Sequence, residues 1–198
     1  MEQKKKAKIA VLVSGGGTNL QALIDAQSSG ILQSGEIRVV ITANPHAYAL
    51  ERAAKAGIEA LVLPRDSFEE ALEAALEKRG IDIIILAGFM LILSENFTSR
   101  WPRRILNVHP ALIPSFCGQG FYGLKVHEAA LERGVKVTGA TVHFVNEIPD
   151  GGEIILQKAV EVLPGDTPET LQRRVMEQAE WILLPQAAEL VAKGVIST

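Results

Sequence analysis

Short apolar runs alternate with longer amphipathic stretches through the first half of the chain. The runs are rich in β-branched residues and are bounded by Gly, Asn, Pro or Asp, so they predict strands, and the stretches between them predict helices. The predicted strands are Lys8–Ser14, Arg38–Ala43, Ala60–Leu63, Asp82–Leu86 and Ile105–His109. The predicted helices are Asn19–Ser28, Ala47–Ala56, Ser67–Lys78 and Ser94–Arg100. Repeated alternation of strand and helix favours right-handed βαβ units, so we expect a parallel sheet in this half.

The pattern changes in the second half of the chain. Val137–Phe144 and Ile154–Val162 are strand-like runs with only a short polar loop between them. That loop leaves no room for a crossover helix, so the two runs should pair antiparallel or lie at a sheet edge. A final amphipathic stretch, Pro168–Lys193, predicts a long helix with Thr167 as its N-cap and Pro168 at its first position.

These elements predict one α/β domain over residues 1–198. We expect an open twisted sheet with a parallel, Rossmann-like N-terminal half, an antiparallel strand in the C-terminal half and a long C-terminal helix. The chain has 198 residues, of which 47% are hydrophobic and 22% charged, and this balance suits one core of ordinary size. No repeat and no Pro/Ser-rich linker divides the sequence.

Charge and cysteine usage argue against several classes of function. The formal net charge of −3 provides no basic field for a polyanion, so we expect no nucleic-acid partner. The apolar run at Ile9–Val13 is too short for a signal peptide or a membrane span, so we expect no membrane association. The single cysteine, Cys117, excludes an internal disulfide and a multi-cysteine metal cage. We expect a cytoplasmic protein without a metal, as a monomer or a homodimer.

A glycine-rich segment, Ser14–Asn19, directly follows the first predicted strand and opens the first helix. In an open α/β sheet ligands bind beyond the carboxyl ends of the strands, and glycines let a ligand approach the backbone N–H groups of a helix start. The segment could equally be a tight turn without a ligand. It lacks the third glycine of a dinucleotide fingerprint, where Leu20 stands, and it lacks the lysine of a P-loop. A dehydrogenase is therefore the least favoured reading.

The apolar segment Leu86–Leu93 spans the end of the fourth predicted strand and the residues beyond it. Its side chains could line a slot for a flat ring. Phe, Met and Leu are also the ordinary content of a protein core. Taken alone, the residues favour the core.

Asn107 and His109 end the fifth predicted strand and, two residues apart, share one face of it. Pro110 then stops the strand. An amide and an imidazole side by side can both donate hydrogen bonds to an oxygen that gains negative charge. The alternative is a structural histidine whose hydrogen bonds are satisfied within the fold.

The polar loop His143–Gly152 contains a second candidate acid–base group. An aspartate at 150, if it lies near His109, would favour the imidazolium and could orient a proton-carrying water. The alternative is a surface turn, since Pro-Asp-Gly is a common turn sequence. We expect His143 to face the sheet interior, and we expect His127, within a helical pattern at Lys125–Arg133, to lie on a helix surface.

Four segments in this order resemble the formyltransferase family that uses 10-formyltetrahydrofolate. They are Val11–Gln21, Leu86–Met90, Leu106–Phe116 and Thr141–Asp150, and the resemblance extends from about Lys8 to Val191. The Asn-x-His-Pro segment and the later Asp are shared with other enzymes that transfer or hydrolyse the folate formyl group. The glycine loop resembles the phosphate site of the members that act on glycinamide ribonucleotide.

The resemblance implies transfer of the formyl group of 10-formyltetrahydrofolate, as co-substrate, to the amine of glycinamide ribonucleotide in purine biosynthesis. It implies that Asn107 and protonated His109 stabilise the tetrahedral oxyanion, and that Asp150 holds His109 and a water that relays a proton. No metal or covalent intermediate is required. The domain would divide into a nucleotide-phosphate-binding half at about 8–100 and a catalytic and folate-binding half at about 101–198.

The same resemblance assigns the binding residues. The substrate phosphate and ribose would be held by Gly15, Gly16, Gly17, Thr18, Asn19 and Glu180. The folate would be held by Arg65, Phe89, Met90, Leu91, Ile92, Leu93, Val145 and Asn146, with Arg65 meeting the charged glutamate tail.

The sequence departs from the family pattern at three places. Leu91 stands where Arg is common, and Cys117–Lys125 replaces a shorter segment that contains Pro-Gly and His. The last helix holds one extra residue near Met176–Trp181, so either Glu177 or Glu180 could take the ribose position; the spacing to Pro185 favours Glu180.

Two other functions remain open. A formyltetrahydrofolate hydrolase would pass the formyl group to water with the same Asn107, His109 and Asp150, but such enzymes usually carry an additional N-terminal domain, and we expect the seven residues before the first strand to leave no room for one. A non-enzymatic nucleotide-binding module would use the glycine loop alone.

Overall fold

The computed structural model describes residues 5–194, which contain a single mixed sheet of seven strands. The strands are β1 (Ala7–Leu12), β2 (Gly35–Thr42), β3 (Glu59–Val62), β4 (Ile83–Leu86), β5 (Ile105–His109), β6 (Val137–Phe144) and β7 (Ile154–Glu161). Their order is β3-β2-β1-β4-β5-β6-β7. The first five strands are parallel, and β6 runs antiparallel to both β5 and β7. The predicted α/β sheet, parallel first and antiparallel later, is confirmed.

Seven α-helices accompany the sheet within residues 5–194. They are α1 (Thr18–Ser29), α2 (Ala49–Lys55), α3 (Phe68–Arg79), α4 (Glu95–Thr98), α5 (Leu124–Arg133), α6 (Pro168–Val175) and α7 (Trp181–Ala192). None of them is long and apolar enough to cross a membrane. The single-domain prediction also included residues 1–4 and 195–198, which lie outside the described residues.

The sheet is covered on both faces, and β1 illustrates the reason for its continuous apolar sequence. Ile9 and Val11 join a cluster with side chains of α1 and α7, whereas Ala10 and Leu12 join a second cluster with side chains of α3 and α4. All four residues are fully buried. A strand that loses water on both sides gains from an apolar residue at every position, so it does not alternate.

The predicted C-terminal helix is interrupted by one π-helical turn, Met176–Glu180. Its N-terminus matches the prediction: Thr167 accepts a hydrogen bond from Thr170 N as N-cap, and Pro168 opens the helix. A π turn accommodates one extra residue in a helix without ending it. The extra residue expected near Met176–Trp181 is located there, and Glu180 is buried while Glu177 is exposed.

His127 is a correction to the sequence analysis. It was expected on a helix surface, but its side chain is fully buried, together with Val126 and Ala130 of the same helix. The helix α5 contacts α6, and its Ala130 belongs to the same core cluster as Val142 of β6. Burial lowers the pKa of His127 to about 4, with His109 contributing repulsion, so the ring is neutral at pH 7.

Gly17 is required by the turn that joins β1 to α1, and we expect Gly17→Ala to destabilise the fold. Its φ is +71°, and an added Cβ would lie 2.7 Å from Cβ of Ala49. The left-handed backbone and the overlap together should cost about 2–4 kcal/mol in the free energy of unfolding, measured by urea denaturation. Gly16→Ala is the matched control, because its Cβ would meet nothing within 4 Å. Equal losses in both variants would contradict this reading.

Candidate active site

Four polar side chains lie on one face of the central strands. In the β5–β6 ladder Asn107 is opposite His143 and His109 is opposite Thr141, so all four side chains point the same way. Thr141 donates its hydroxyl to the carbonyl of Ala111 at 2.7 Å and holds the chain after β5. The ladder therefore places Asn107, His109 and His143 together before any loop is added.

The loop after β6 brings Asp150 onto these residues. Asp150 Oδ2 lies 3.4 Å from Nδ1 of His109, and Asp150 Oδ1 lies 3.5 Å from Nε2 of His143. Asn107 Nδ2 lies 3.2 Å from the same His143 nitrogen. Asp150 adopts a left-handed backbone with φ +55°, a conformation that few non-glycine residues take. The three residues predicted as catalytic, Asn107, His109 and Asp150, thus form one cluster with His143.

The loop after β5 fixes both members of the His109–Asp150 pair. His109 Nε2 donates to the carbonyl of Phe116 at 2.8 Å, and Gly118 N donates to Asp150 Oδ2 at 2.9 Å. Both ring nitrogens of His109 therefore face an oxygen acceptor, and a proton on Nδ1 would lie between the imidazole and the Asp150 carboxylate. Sequence reasoning missed these two backbone contacts, because they come from a segment of irregular conformation.

Burial and charge oppose each other at His109. Burial is the larger effect and lowers the pKa of His109 below its ordinary value, although the Asp150 charge and the Phe116 carbonyl raise it and His143 lowers it. For Asp150, burial raises the pKa, but hydrogen bonds from His143 and Gly118 and the histidine charges together bring it below its ordinary value. The free protein therefore holds an ionised Asp150 beside a His109 that is mostly neutral at pH 7.

Cys117 is not activated as a nucleophile. Burial is the larger cause and the charge of Asp150 the second, and both raise the pKa of its thiol. The thiol donates to the carbonyl of Pro114 at 3.3 Å. A reactive cysteine needs a lowered pKa, so the structure offers no Cys–His nucleophile pair here.

The glycine loop lies at the carboxyl end of β1, next to the end of β4. Ser14 N donates to the carbonyl of Gly88 at 3.2 Å, and Met90 N donates to Ser14 Oγ at 2.9 Å. An added Cβ at Gly15 or Gly16 would meet no atom within 4 Å, so these two glycines leave open space. The first turn of α1 contains no acidic residue, and its positive dipole end remains available to an anion.

Arg52 of α2 supports this loop, and sequence reasoning missed it. Its Nε donates to the carbonyl of Gly16 at 2.8 Å, and its Nη1 donates to Gln21 Oε1 at 3.0 Å. Its guanidinium also stacks on Tyr48, 5.1 Å from the ring centroid. Arg52 thus fixes the loop and adds a positive charge beside the helix start.

Glu180 and Asn19 meet beneath the loop. Asn19 Nδ2 donates to Glu180 Oε2 at 2.7 Å, and both side chains are buried. Burial raises the pKa of Glu180 to about 7, although the bond from Asn19 lowers it. Of the two candidate glutamates, Glu180 is therefore the one adjacent to the glycine loop. Thr18, by contrast, is exposed, 4.0 Å from the sulfur of Met176.

Four of the eight residues predicted to bind folate line a cavity of about 520 Å³. Arg65 and Leu91, Ile92 and Leu93 line this cavity. Phe89 packs against Phe68, with ring centroids 5.4 Å apart and the two rings tilted by 33°. Phe89 and Leu91 pack with Val145 against the second core cluster. The segment from Phe89 to Leu93 is therefore partly packed against the core and partly at the surface.

Exposure distinguishes the members of that segment. Met90 is 54% exposed and Ile92 83% exposed, and the value for Ile92 is the highest among the large apolar side chains of residues 5–194. Asn146 lies on the facing loop and accepts a hydrogen bond from Ile148 N at 3.0 Å. An apolar surface of this kind suits an aromatic ligand. In residues 5–194 no group of three or more His, Cys, Asp or Glu side chains could hold a metal ion.

Comparison with known proteins identifies the family. The formyl transferase family matches residues 7–187 of the chain. The chain belongs to the formyl transferase family. The match spans all seven strands, and it includes the segments that place Asn107, His109 and Asp150 in this formyl transferase.

Three proteins from different organisms are similar to this chain over most of its length. The formyl transferase is 47% identical, over 98% of its chain, to the trifunctional purine biosynthetic protein adenosine-3 of Homo sapiens, of which it spans only 19%. It is 42% identical to phosphoribosylglycinamide formyltransferase of Haemophilus influenzae, with 94% of this chain and 88% of that protein covered. The crystal structure of glycinamide ribonucleotide transformylase 1 from Symbiobacterium toebii matches with a TM-score of 0.89 and 44% identity, covering 97% of this chain and 90% of that one.

We expect Glu180→Gln to stabilise the protein at high pH. The pKa of Glu180 is about 7 in the folded protein against 4.5 for an unperturbed glutamate. The unfolded chain therefore releases a proton that the folded chain retains, and wild-type stability falls as pH rises from about 4.5 through 7. The variant should be more stable by up to roughly 3 kcal/mol at pH 8 and unchanged near pH 4.5, in urea unfolding.

Glu177→Gln is the matched control for this prediction, because Glu177 is in the same turn but exposed. It should unfold like the wild type at both pH values. A Glu180→Gln variant with the pH dependence of the wild type would show that Glu180 does not titrate abnormally.

Proposed function

We propose that this protein transfers the formyl group of 10-formyltetrahydrofolate to the amine of glycinamide ribonucleotide, yielding formylglycinamide ribonucleotide and tetrahydrofolate. The observation that carries the proposal is the buried His109–Asp150 pair beside Asn107. Strand β5, which carries His109 and Asn107, lies two strands from β1, and the helix that follows β1 has an N-terminus suited to binding an anion. The names of similar proteins support the same substrate. The reaction requires no metal, and we place it in the cytoplasm.

In the proposed reaction the substrate amine attacks the formyl carbon and a C–N bond forms. Asn107 and His109 then donate hydrogen bonds to the oxyanion, and Asp150 favours the charged form of His109 as negative charge develops. The bond from the formyl carbon to the folate nitrogen breaks. One proton leaves the amine, and one reaches the folate nitrogen through a water held by Asp150.

The contacts of the free protein impose a condition on this mechanism. His109 Nε2 is bonded to Phe116 O, and Nδ1 faces Asp150, so neither nitrogen is free for a formyl oxygen. The contact between Nδ1 and Asp150 must persist, because the carboxylate favours the charged form of His109. We therefore expect the segment around Phe116 to move when both substrates bind, releasing Nε2.

The substrates would occupy both halves of the domain. The phosphate would bind the backbone from Gly15 to Asn19, and Glu180 would accept hydrogen bonds from the ribose hydroxyls. The pterin would lie against the segment from Phe89 to Leu93, with Val145 and Asn146 opposite and Arg65 near the glutamate tail. The proposed division at about residue 100 is therefore not strict. Glu180, from the second half, would bind the ribonucleotide, and the segment from Phe89 to Leu93, from the first half, would bind the folate.

Steady-state kinetics with both substrates, and with folate alone, test the proposal. We expect formyl transfer that requires the ribonucleotide and falls by about 10²–10⁴-fold in kcat/KM for His109→Ala and for Asp150→Asn, because each removes an acid–base or oxyanion contact. His46→Ala, which changes an exposed histidine, should behave like the wild type. Folate hydrolysis without the amine would indicate a hydrolase, and ribonucleotide binding without turnover would leave only a binding module.

We also expect Arg52→Gln to raise the KM for glycinamide ribonucleotide by about 10-fold or more, since a charged hydrogen bond and the support of the loop are both lost. The KM for the folate should change little. Arg52→Lys retains the charge but not the two-point contact, so it should fall between the wild type and Arg52→Gln. Equal changes in both KM values would indicate general damage to the fold.

A further inference from the structure

The cavity beside Arg65 has an unusual balance of charge. It lies between the start of α3 and the segment after β4, and one cation and three carboxylates line it. The charged residues are Arg65, Asp66, Glu69 and Glu70, a net charge of −2. The remaining wall from Leu91 to Leu93 is apolar. An anion that enters this cavity therefore meets one attractive side chain and three repulsive ones.

The carboxylate of Glu69 is fixed in this arrangement. It accepts hydrogen bonds from the amide and the hydroxyl of Ser94, at 2.5 and 2.6 Å, so it cannot turn away from an incoming anion. Glu69 and Glu70 also occupy the first turn of α3. They neutralise a helix start that would otherwise attract an anion, in contrast to α1, whose first turn contains no acidic residue.

Arg65 is available for one carboxylate group. Within residues 5–194 its side chain has no ion pair or hydrogen bond, and it is exposed at the rim of the cavity. A guanidinium can hold one carboxylate through two parallel hydrogen bonds. Leu91, which faces the same cavity, provides no second cation. The cavity therefore offers a single cation, the guanidinium of Arg65, for binding a carboxylate.

We propose that this cavity makes the enzyme select folates with short glutamate tails, and that Asp66, Glu69 and Glu70 are the specificity-determining residues. The proposal rests on the function proposed above. Arg65 binds one carboxylate of the first glutamate, and each further γ-linked glutamate adds a negative charge to a region that is already acidic. The cavity is open to solvent, so salt screens this repulsion and it stays modest, with a Debye length of about 8 Å at physiological ionic strength.

The test compares KM values for 10-formyltetrahydrofolate with one, three and five glutamates, at low and at physiological ionic strength. For the wild type we expect the KM to rise by about 2- to 5-fold from one to five glutamates at low ionic strength, and by less at physiological ionic strength. A wild-type KM that stays constant or falls with tail length at low ionic strength would overturn the proposal.

Two variants assign the effect to the cavity. Glu70→Lys changes the net charge of the lining from −2 to 0, and Leu91→Arg changes it from −2 to −1. Each variant should therefore reduce the rise of the KM with tail length, Glu70→Lys more than Leu91→Arg, and most clearly at low salt. Glu132→Lys makes the same change of charge as Glu70→Lys at an exposed site on α5 and should retain the wild-type trend. If neither cavity variant changes the dependence on tail length, or if Glu132→Lys changes it equally, the proposal fails.

The outcomes separate this proposal from the proposed function. Absence of formyl transfer with the monoglutamate would refute the function itself. An active enzyme that binds long tails more tightly would refute only the selectivity. Because kcat with the monoglutamate is measured for every variant, a protein that has lost its fold is recognised by that value.

Discussion

The carboxylate of Asp150 lies between two buried imidazoles and accepts a hydrogen bond from a backbone amide, and the geometry of the site depends on this placement. Burying a charge is costly unless several partners surround it. Here the partners come from β5, from β6 and from the loop after β5, so the carboxylate connects segments that are distant in sequence. The left-handed backbone of Asp150 becomes tolerable because these contacts hold it.

The two proposed substrate regions handle negative charge in opposite ways. At the start of α1, no acidic residue opposes the helix dipole, and Arg52 adds a cation beside the loop. At the start of α3, two glutamates occupy the equivalent positions. The same local structure, a helix following a strand, thus attracts an anion in one place and resists it in the other. The difference comes from side chains in a single turn.

Much of this fold could be predicted from the sequence, because strands buried on both faces are short apolar runs and helices repeat every 3.6 residues. The shared face of Asn107 and His109 followed from the period of a strand. The burial of His127 did not, since it depends on how α5 packs in the folded domain, where the ring lies close enough to His109 for their charges to interact. The contacts of Arg52, Phe116 and Gly118 were also missed, because each joins segments whose approach no local pattern encodes.

The π-helical turn between α6 and α7 shows how a helix can absorb a change in length. One additional residue advances the chain by about 100° around a regular helix, which would turn every later side chain away from its partners. Confined to a single wide turn, the insertion leaves the buried face of α7 in register with the sheet. Chains that differ by one residue at this point can therefore share a core, while the residue that faces the glycine loop is chosen by the turn.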